Sequence, residues 1–207
     1  LSNEGAIGGL MITEPGYGTD ALSMRTRYRE TENGFAISGE KHWAGLTGWA
    51  DYWLVTARRE KDDGSLNRNI DFFFCDSRQP GQLVRVEEYY NNLGLYMIPY
   101  GRNRLELTVP SEHRLNYQGS GIKLMQDLLH RSRMRFPGMA LGFLRRTLDE
   151  ALQHCRDRAV GGKPLLVFDQ VQRRISQLQA WFTTASAFCR EAARRSGIEF
   201  NLVKEGL

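Results

Sequence analysis

The 207-residue chain is 41% hydrophobic and carries 28 Lys and Arg against 24 Asp and Glu. This is enough apolar material for one packed domain or two small ones, and no apolar run approaches the roughly 18 residues that a membrane-spanning helix needs. Cys75, Cys155 and Cys189 and the histidines His42, His113, His130 and His154 are too scattered for a disulfide framework or a metal site.

The segment Met11-Ile12-Thr13-Glu14-Pro15-Gly16-Tyr17-Gly18-Thr19-Asp20 is the first with a clear reading. An apolar run enters it, which predicts a strand ending near Thr13. Pro15, Gly16 and Gly18 then force a tight exposed turn, with Thr19 and Asp20 offering side-chain oxygens. Such a turn aims unpaired N–H groups at one spot, as a phosphate or diphosphate requires. An ordinary polar turn is the alternative.

Short strands follow. Arg25–Glu30 alternates weakly, Glu32-Asn33-Gly34 makes a hairpin turn, and Phe35–Trp43 returns. Tyr52–Ala57 is a dense β-branched and aromatic run, and Lys61–Ser65 reads as a solvated loop. Ile70–Cys75, Leu83–Tyr89 and Arg104–Val109 complete the series, each bounded by Gly, Asp, Asn or Pro. Six or more turn-bounded strands over 1–115 predict an antiparallel barrel or two packed sheets.

From about Gly119 the period changes to that of helices. Leu141, Leu144, Leu148, Leu152 and Cys155 form one stripe; Val171, Ile175, Leu178, Phe182, Ala185 and Cys189 form another. Gly161-Gly162-Lys163-Pro164 separates the two, and Pro137 is expected to kink or restart the first. The fold expected is therefore α+β: a β domain over 1–115, then an antiparallel helix pair over 116–207 that cannot enclose a core by itself.

Charge divides with the fold. Residues 1–115 hold 13 basic and 16 acidic side chains, and residues 116–207 hold 15 and 8. The basic half fits an anionic partner, either nucleic acid or a phosphorylated small molecule, or simply solvated helix faces. No aromatic platforms interleave with its arginines, which argues against nucleic acid.

The Thr13-to-Asp20 turn resembles the flavin-binding signature of the acyl-CoA dehydrogenase family. Asn33-Gly34-Phe35-Ala36-Ile37-Ser38-Gly39-Glu40-Lys41-His42-Trp43 is similar to the same family's hairpin leading to a flavin-stacking tryptophan. Two motifs in this order are more specific than either alone. The resemblance covers almost the whole chain, but only the middle of a typical member, so the chain is read as a fragment. It implies FAD as cofactor, with Leu10, Ile12, Thr13, Gly18 and Thr19 lining the flavin and holding its diphosphate. Thr19 would also touch the bound thioester. Trp43 would lie against the isoalloxazine; a core tryptophan is the alternative. Two positions on, the family usually has a hydroxyl near flavin N5. Gly45 stands there, so a backbone N–H or Thr47 would replace it.

In the helical half, His130-Arg131-Ser132-Arg133 falls where the family has Asp-x-x-Arg facing the acyl-CoA, with His130 in the aspartate's place. Met139-Ala140-Leu141-Gly142 agrees with the pattern that follows. Arg158 with Gly162-Lys163-Pro164 resembles the stretch whose arginine reaches the flavin of a neighbouring subunit. The glutamine expected eleven residues later is Asp169, with Gln170 one place late. The family's base is usually a carboxylate on a later helix, beyond Leu207. A minority of members carry it where this chain has Ser132, so no catalytic residue is assigned.

The resemblance implies α,β-dehydrogenation of an acyl-CoA thioester, with an electron-transfer flavoprotein as acceptor and a homo-oligomeric enzyme, and an inactive isolated fragment. Alternatives are an oxidase variant and a non-catalytic nucleic-acid-binding relative. The cysteine usage, and the lack of a basic start and apolar core in Leu1–Gly5, lead to an expected reducing compartment. That is the cytoplasm, or a mitochondrial or peroxisomal matrix in a eukaryote.

Overall fold

A computed structural model describes residues 5–115, 120–133 and 135–196. By compactness the chain divides into two units, Leu1–Gln126 and Asp127–Leu207.

Among the described residues the first unit holds seven strands: β1 (Gly8–Met11), β2 (Arg27–Thr31), β3 (Gly34–Gly45), β4 (Tyr52–Arg59), β5 (Asp71–Asp76), β6 (Leu83–Tyr89) and β7 (Tyr100–Pro110). They make one curled sheet in the order β1-β4-β2-β3-β7-β6, with β5 paired to β4. The run β2-β3-β7-β6 and the β4-β5 pair are antiparallel. The expected β domain is therefore present, but its sheet is mixed, because β1 and β2 both run parallel to β4. Tyr52 N donates to Ile7 O and Arg58 N to Thr26 O. N–H groups of even-numbered residues leave the same edge of a strand, so β1 and β2 meet one edge of β4 end to end. The excursion from Ile12 to Thr26 starts and finishes on that edge.

Binary patterning decides which face is buried. Along β7, Gly101, Asn103, Leu105, Leu107 and Val109 are buried, while Arg104, Glu106 and Thr108 are exposed. Tyr28, Phe35 and Phe73 meet edge to face, with ring centroids 4.8–5.5 Å apart, the arrangement that aromatic quadrupoles favour. Trp53, Val55, Ile37 and Leu105 complete the core.

Helix α1 (Gly121–Arg133) carries the chain from the first unit into the second, where α2 (Phe136–Asp157) and α3 (Asp169–Ser196) lie. Pro137 sits in the first turn of α2, where its missing N–H costs nothing; it restarts the helix there. Between α2 and α3, Ala159–Val160 and Lys163–Pro164 pair as β8 and β9. Gly161 (φ +59°) and Gly162 (φ +75°) give the two left-handed residues of a type I′ hairpin.

Helices α2 and α3 pack on the two predicted stripes. Leu148 is buried; Leu141, Leu152, Ile175, Leu178 and Phe182 are half-buried, and Leu144 is exposed. An apolar cavity of about 590 Å³ lies between the start of α2 and the end of α3, lined by Leu141, Arg145, Phe182 and Phe188 among others. This matches the expectation that the pair alone closes no core.

Candidate functional site

The turn after β1 is built by its own residues. Tyr17 N donates to Glu14 O at 3.0 Å, and Gly16 has φ +79°. Pro15 and Gly16 are thus the central pair of a type II turn, whose second position requires a left-handed residue. Gly16 and Gly18 have open space where a Cβ would stand, and Thr19 and Asp20 are exposed. Among the described residues, the N–H groups of Gly16, Gly18 and Thr19 donate to no protein acceptor. Leu10 is 37% exposed although Met11 beside it is buried, so β1 turns Leu10 outward. Ile12 and Thr13 are half-buried.

Beneath the turn lies a buried ion pair. Lys41 Nζ, on β3, donates to Glu14 Oε1 at 2.8 Å, Thr56 Oγ1 at 3.0 Å and Ile12 O at 3.1 Å. Thr56 Oγ1 donates on to Met11 O at 3.1 Å. Glu14 also accepts from Arg25 N at 2.5 Å and Thr26 N at 3.0 Å, which binds both ends of the excursion. Lys41 is fully buried and Glu14 nearly so. Burial lowers the Lys41 ammonium to about 8, against the charge and hydrogen bond of Glu14. Burial alone would raise the Glu14 carboxyl. The Lys41 charge and the hydrogen bonds from Lys41, Thr26 and Arg25 outweigh it and hold Glu14 below the usual carboxylate range. Sequence reasoning missed this pair, although a signal existed: Phe35, Ile37, Gly39 and Lys41 share one parity on β3, the inward one.

Trp43 follows on the same strand. Lys41 pairs with Asn103 but Ala44 with Gly101, so β3 gains one residue over β7 in a bulge. His42 N donates to Thr13 O at 2.8 Å, which ties the bulge to the turn. Trp43 takes φ +58°, a left-handed conformation that costs a non-glycine residue about 1 kcal/mol or more. The ring is turned out to 51% exposure, unlike Trp53 in the core. Tyr90 leans on it at a centroid distance of 4.6 Å, and Tyr90 Oη lies 2.6 Å from His42 Nδ1. Burial and the Arg102 charge push the His42 imidazole down; burial and Glu88 push the Tyr90 phenol up.

Gly45 is half-buried in β3, with Tyr100 3.3 Å from where a Cβ would stand. Thr47 does not supply the missing hydroxyl. It is fully buried; its Oγ1 donates to Ala44 O at 2.7 Å and accepts from Asn103 Nδ2 at 3.0 Å. Position 47 lies past the end of β3, in a turn where Leu46 takes φ +69°, and that turn points it inward.

The remaining predicted residues lie in the second unit. His130, Arg131, Ser132 and Arg133 close α1. Arg131 Nε bonds Asp127 Oδ2 at 2.9 Å, and Ser132 Oγ bonds Leu129 O at 3.0 Å on the same helix. His130 and Arg133 are exposed and share a side at i and i+3. Arg158 caps α2: its N donates to His154 O at 2.9 Å and its O accepts from Leu165 N at 2.8 Å. That leaves its exposed guanidinium outside the cap. Asp169 opens α3, where the helix dipole favours a carboxylate.

A family model for the acyl-CoA dehydrogenase middle domain matches residues 9–107, and one for the C-terminal domain of the same family matches residues 119–198. The chain belongs to the acyl-CoA dehydrogenase family. It is similar to the glutaryl-CoA dehydrogenase of Desulfococcus multivorans, 28% identical over 93% of this chain and 49% of that protein. Its fold matches butyryl-CoA dehydrogenase from Megasphaera elsdenii, with a TM-score of 0.82 and 24% identity over 94% of this chain and 51% of the other. It also matches a glutaryl-CoA dehydrogenase from Mycobacterium smegmatis solved with FADH2, with a TM-score of 0.76 and 24% identity over 94% and 49% of the two chains. The chain thus spans about half the length of the relatives it matches. Among the described residues of this acyl-CoA dehydrogenase family member, no helix is long and apolar enough to cross a membrane.

Proposed function

We propose that this chain supplies the flavin cradle and the first bundle helices of an FAD-dependent enzyme that dehydrogenates an acyl-CoA thioester between its α and β carbons. One observation carries the reading: an exposed indole on a left-handed bulge, bonded through His42 N to the turn that offers free N–H groups. The residues fit the cofactor, since a flat surface and a small-residue anion turn lie on adjoining segments with open space at Gly16 and Gly18. When bound, the flavin accepts the hydride.

Leu10, Ile12 and Thr13 would line the ring system, and the N–H groups around Gly18 and the Thr19 hydroxyl would hold the diphosphate. Trp43 would give the isoalloxazine a surface to rest on, and Gly45 contributes only backbone beside it. Thr19 would also meet the thioester. On α1, Arg133 offers a cation to the CoA phosphates, with His130 beside it. Arg131 is already committed to Asp127, and Ser132, bonded to its own helix, contacts substrate without removing a proton. Arg158 would reach the cofactor of a neighbouring subunit in a homo-oligomer. Asp169, a like charge to a diphosphate, would weaken that contact.

Proton abstraction next to the thioester needs a carboxylate in reach, and the Ser132 position has none. The 207 residues by themselves therefore turn over nothing, and they bind flavin weakly because Arg158 completes the cofactor site only in an assembled neighbour. In the complete enzyme an electron-transfer flavoprotein takes the electrons, in a compartment reducing enough to keep Cys75, Cys155 and Cys189 as thiols. The division proposed is a β domain over 1–115 and the start of a helical bundle over 116–207. Incubating the purified chain with FAD, a panel of acyl-CoA thioesters and an artificial electron acceptor tests this: flavin uptake without turnover is expected. No flavin uptake at any concentration would overturn the cofactor assignment, and turnover would overturn the account of the base.

A further inference from the structure

We propose that Lys41 and Glu14 are positioning residues, a buried clamp that holds the Thr13–Thr19 turn and the Trp43 bulge in one geometry. The inference rests on the flavin reading above for its purpose and on geometry for its content.

Three facts point to positioning rather than stability. The pair is almost completely dry, and an ion pair in that setting gives little net stability, because desolvation offsets the attraction. Its bonds also go where an apolar pair could reach nothing. Lys41 Nζ holds the Ile12 carbonyl, and Glu14 gathers the N–H groups of Arg25 and Thr26. Both ends of the excursion are thereby fixed to β3. Finally, the residue two positions after Lys41 is Trp43, whose left-handed backbone persists only where its surroundings over-determine it. The clamp and the His42 N to Thr13 O bond are the ties between the bulge and the turn at that point.

If the pair acted only through stability, an apolar replacement of similar volume would serve as well. The test compares Lys41→Met, Glu14→Gln and the double variant Glu14→Met/Lys41→Met in the full 207-residue chain, labelled with 5-fluorotryptophan. Trp43→Phe assigns the Trp43 fluorine line, and Trp181 in the helical unit is the internal control. The measurements are urea midpoint, the Trp43 line and the FAD dissociation constant.

Lys41→Met leaves Glu14 charged and buried, so its urea midpoint should fall clearly. The double variant leaves no buried charge and should recover most of that loss. Its Trp43 line should nevertheless shift or broaden with Trp181 unmoved, and FAD should bind roughly tenfold to a hundredfold more weakly, the scale of a small misplacement in a site. A double variant with the wild-type Trp43 line and wild-type FAD affinity would overturn the proposal. If the wild-type chain takes up no FAD, the cofactor reading fails, while the Trp43 line still decides the clamp. Should the methionine variants not fold, Glu14→Gln decides: an unchanged Trp43 line in the folded protein refutes positioning.

Discussion

Replacing Trp43 by alanine and by glycine separates a binding surface from a core residue. The ring is 51% exposed, and its aromatic neighbours are Tyr90 at 4.6 Å and His42 at 5.2 Å. Loss of such contacts costs about 0.5–1.5 kcal/mol, against about 3–5 kcal/mol for truncating a buried aromatic. Alanine inherits the strain of φ +58°, whereas glycine relieves roughly 1 kcal/mol of it. Trp43→Ala should therefore lower stability by about 1 kcal/mol and Trp43→Gly by close to nothing. Both should weaken FAD alike, because both remove the surface. Stacking on an aromatic side chain is worth about 1–3 kcal/mol per ring system, or roughly 5- to 150-fold in the dissociation constant. Urea denaturation followed by circular dichroism gives the first quantity and equilibrium dialysis against FAD the second. A loss of several kcal/mol in both variants, or FAD affinity equal to wild type, would refute the reasoning.

Thr19→Ala should leave the urea midpoint unchanged, since the side chain is exposed. It should weaken FAD by the roughly 1.5–3 kcal/mol of a hydrogen bond to a charged group; equal dialysis curves would remove Thr19 from the site. The Cys75 thiol is buried and pushed up to about 12 by burial and the Asp76 charge, so in native protein at pH 8 it should resist a thiol reagent that labels it at once in urea. Rapid native labelling at Cys75, read by peptide mass spectrometry, would mean that β5 opens. Glu14 is held below its ordinary value of 4.5, so the folded state binds its proton less readily than the unfolded chain. The stability it contributes is complete above about pH 4.5 and is lost as pH falls through the folded value. The urea midpoint of the wild type should drop through that window more steeply than that of Glu14→Gln, and parallel curves would contradict the assignment.

Local chemistry made much of this chain legible from its residues alone. Pro15-Gly16 dictates its turn, Pro137 its helix restart and Gly161-Gly162 its hairpin, because each fixes backbone angles without help from afar. A dense β-branched and aromatic run placed β4, turn-bounded short runs placed β6 and the inner part of β7, and the apolar stripes placed α2 and α3. Partners distant in sequence were not legible. Nothing local says that β1 and β2 share one edge of β4 in parallel, since parallel pairing leaves no turn between the strands to read. The site turns on one inserted residue. Lys41 and Trp43 have the same parity on β3, so strict alternation would bury both. The bulge between Lys41 and Ala44 leaves the lysine inside against Glu14 and turns the indole outward. Thr47, in the turn beyond β3, is buried by its bonds to Ala44 O and Asn103 Nδ2, away from the role its hydroxyl suggested. Which of two side chains of equal parity faces solvent is decided by the register of β3 against β7, and that register exists only once the sheet has formed.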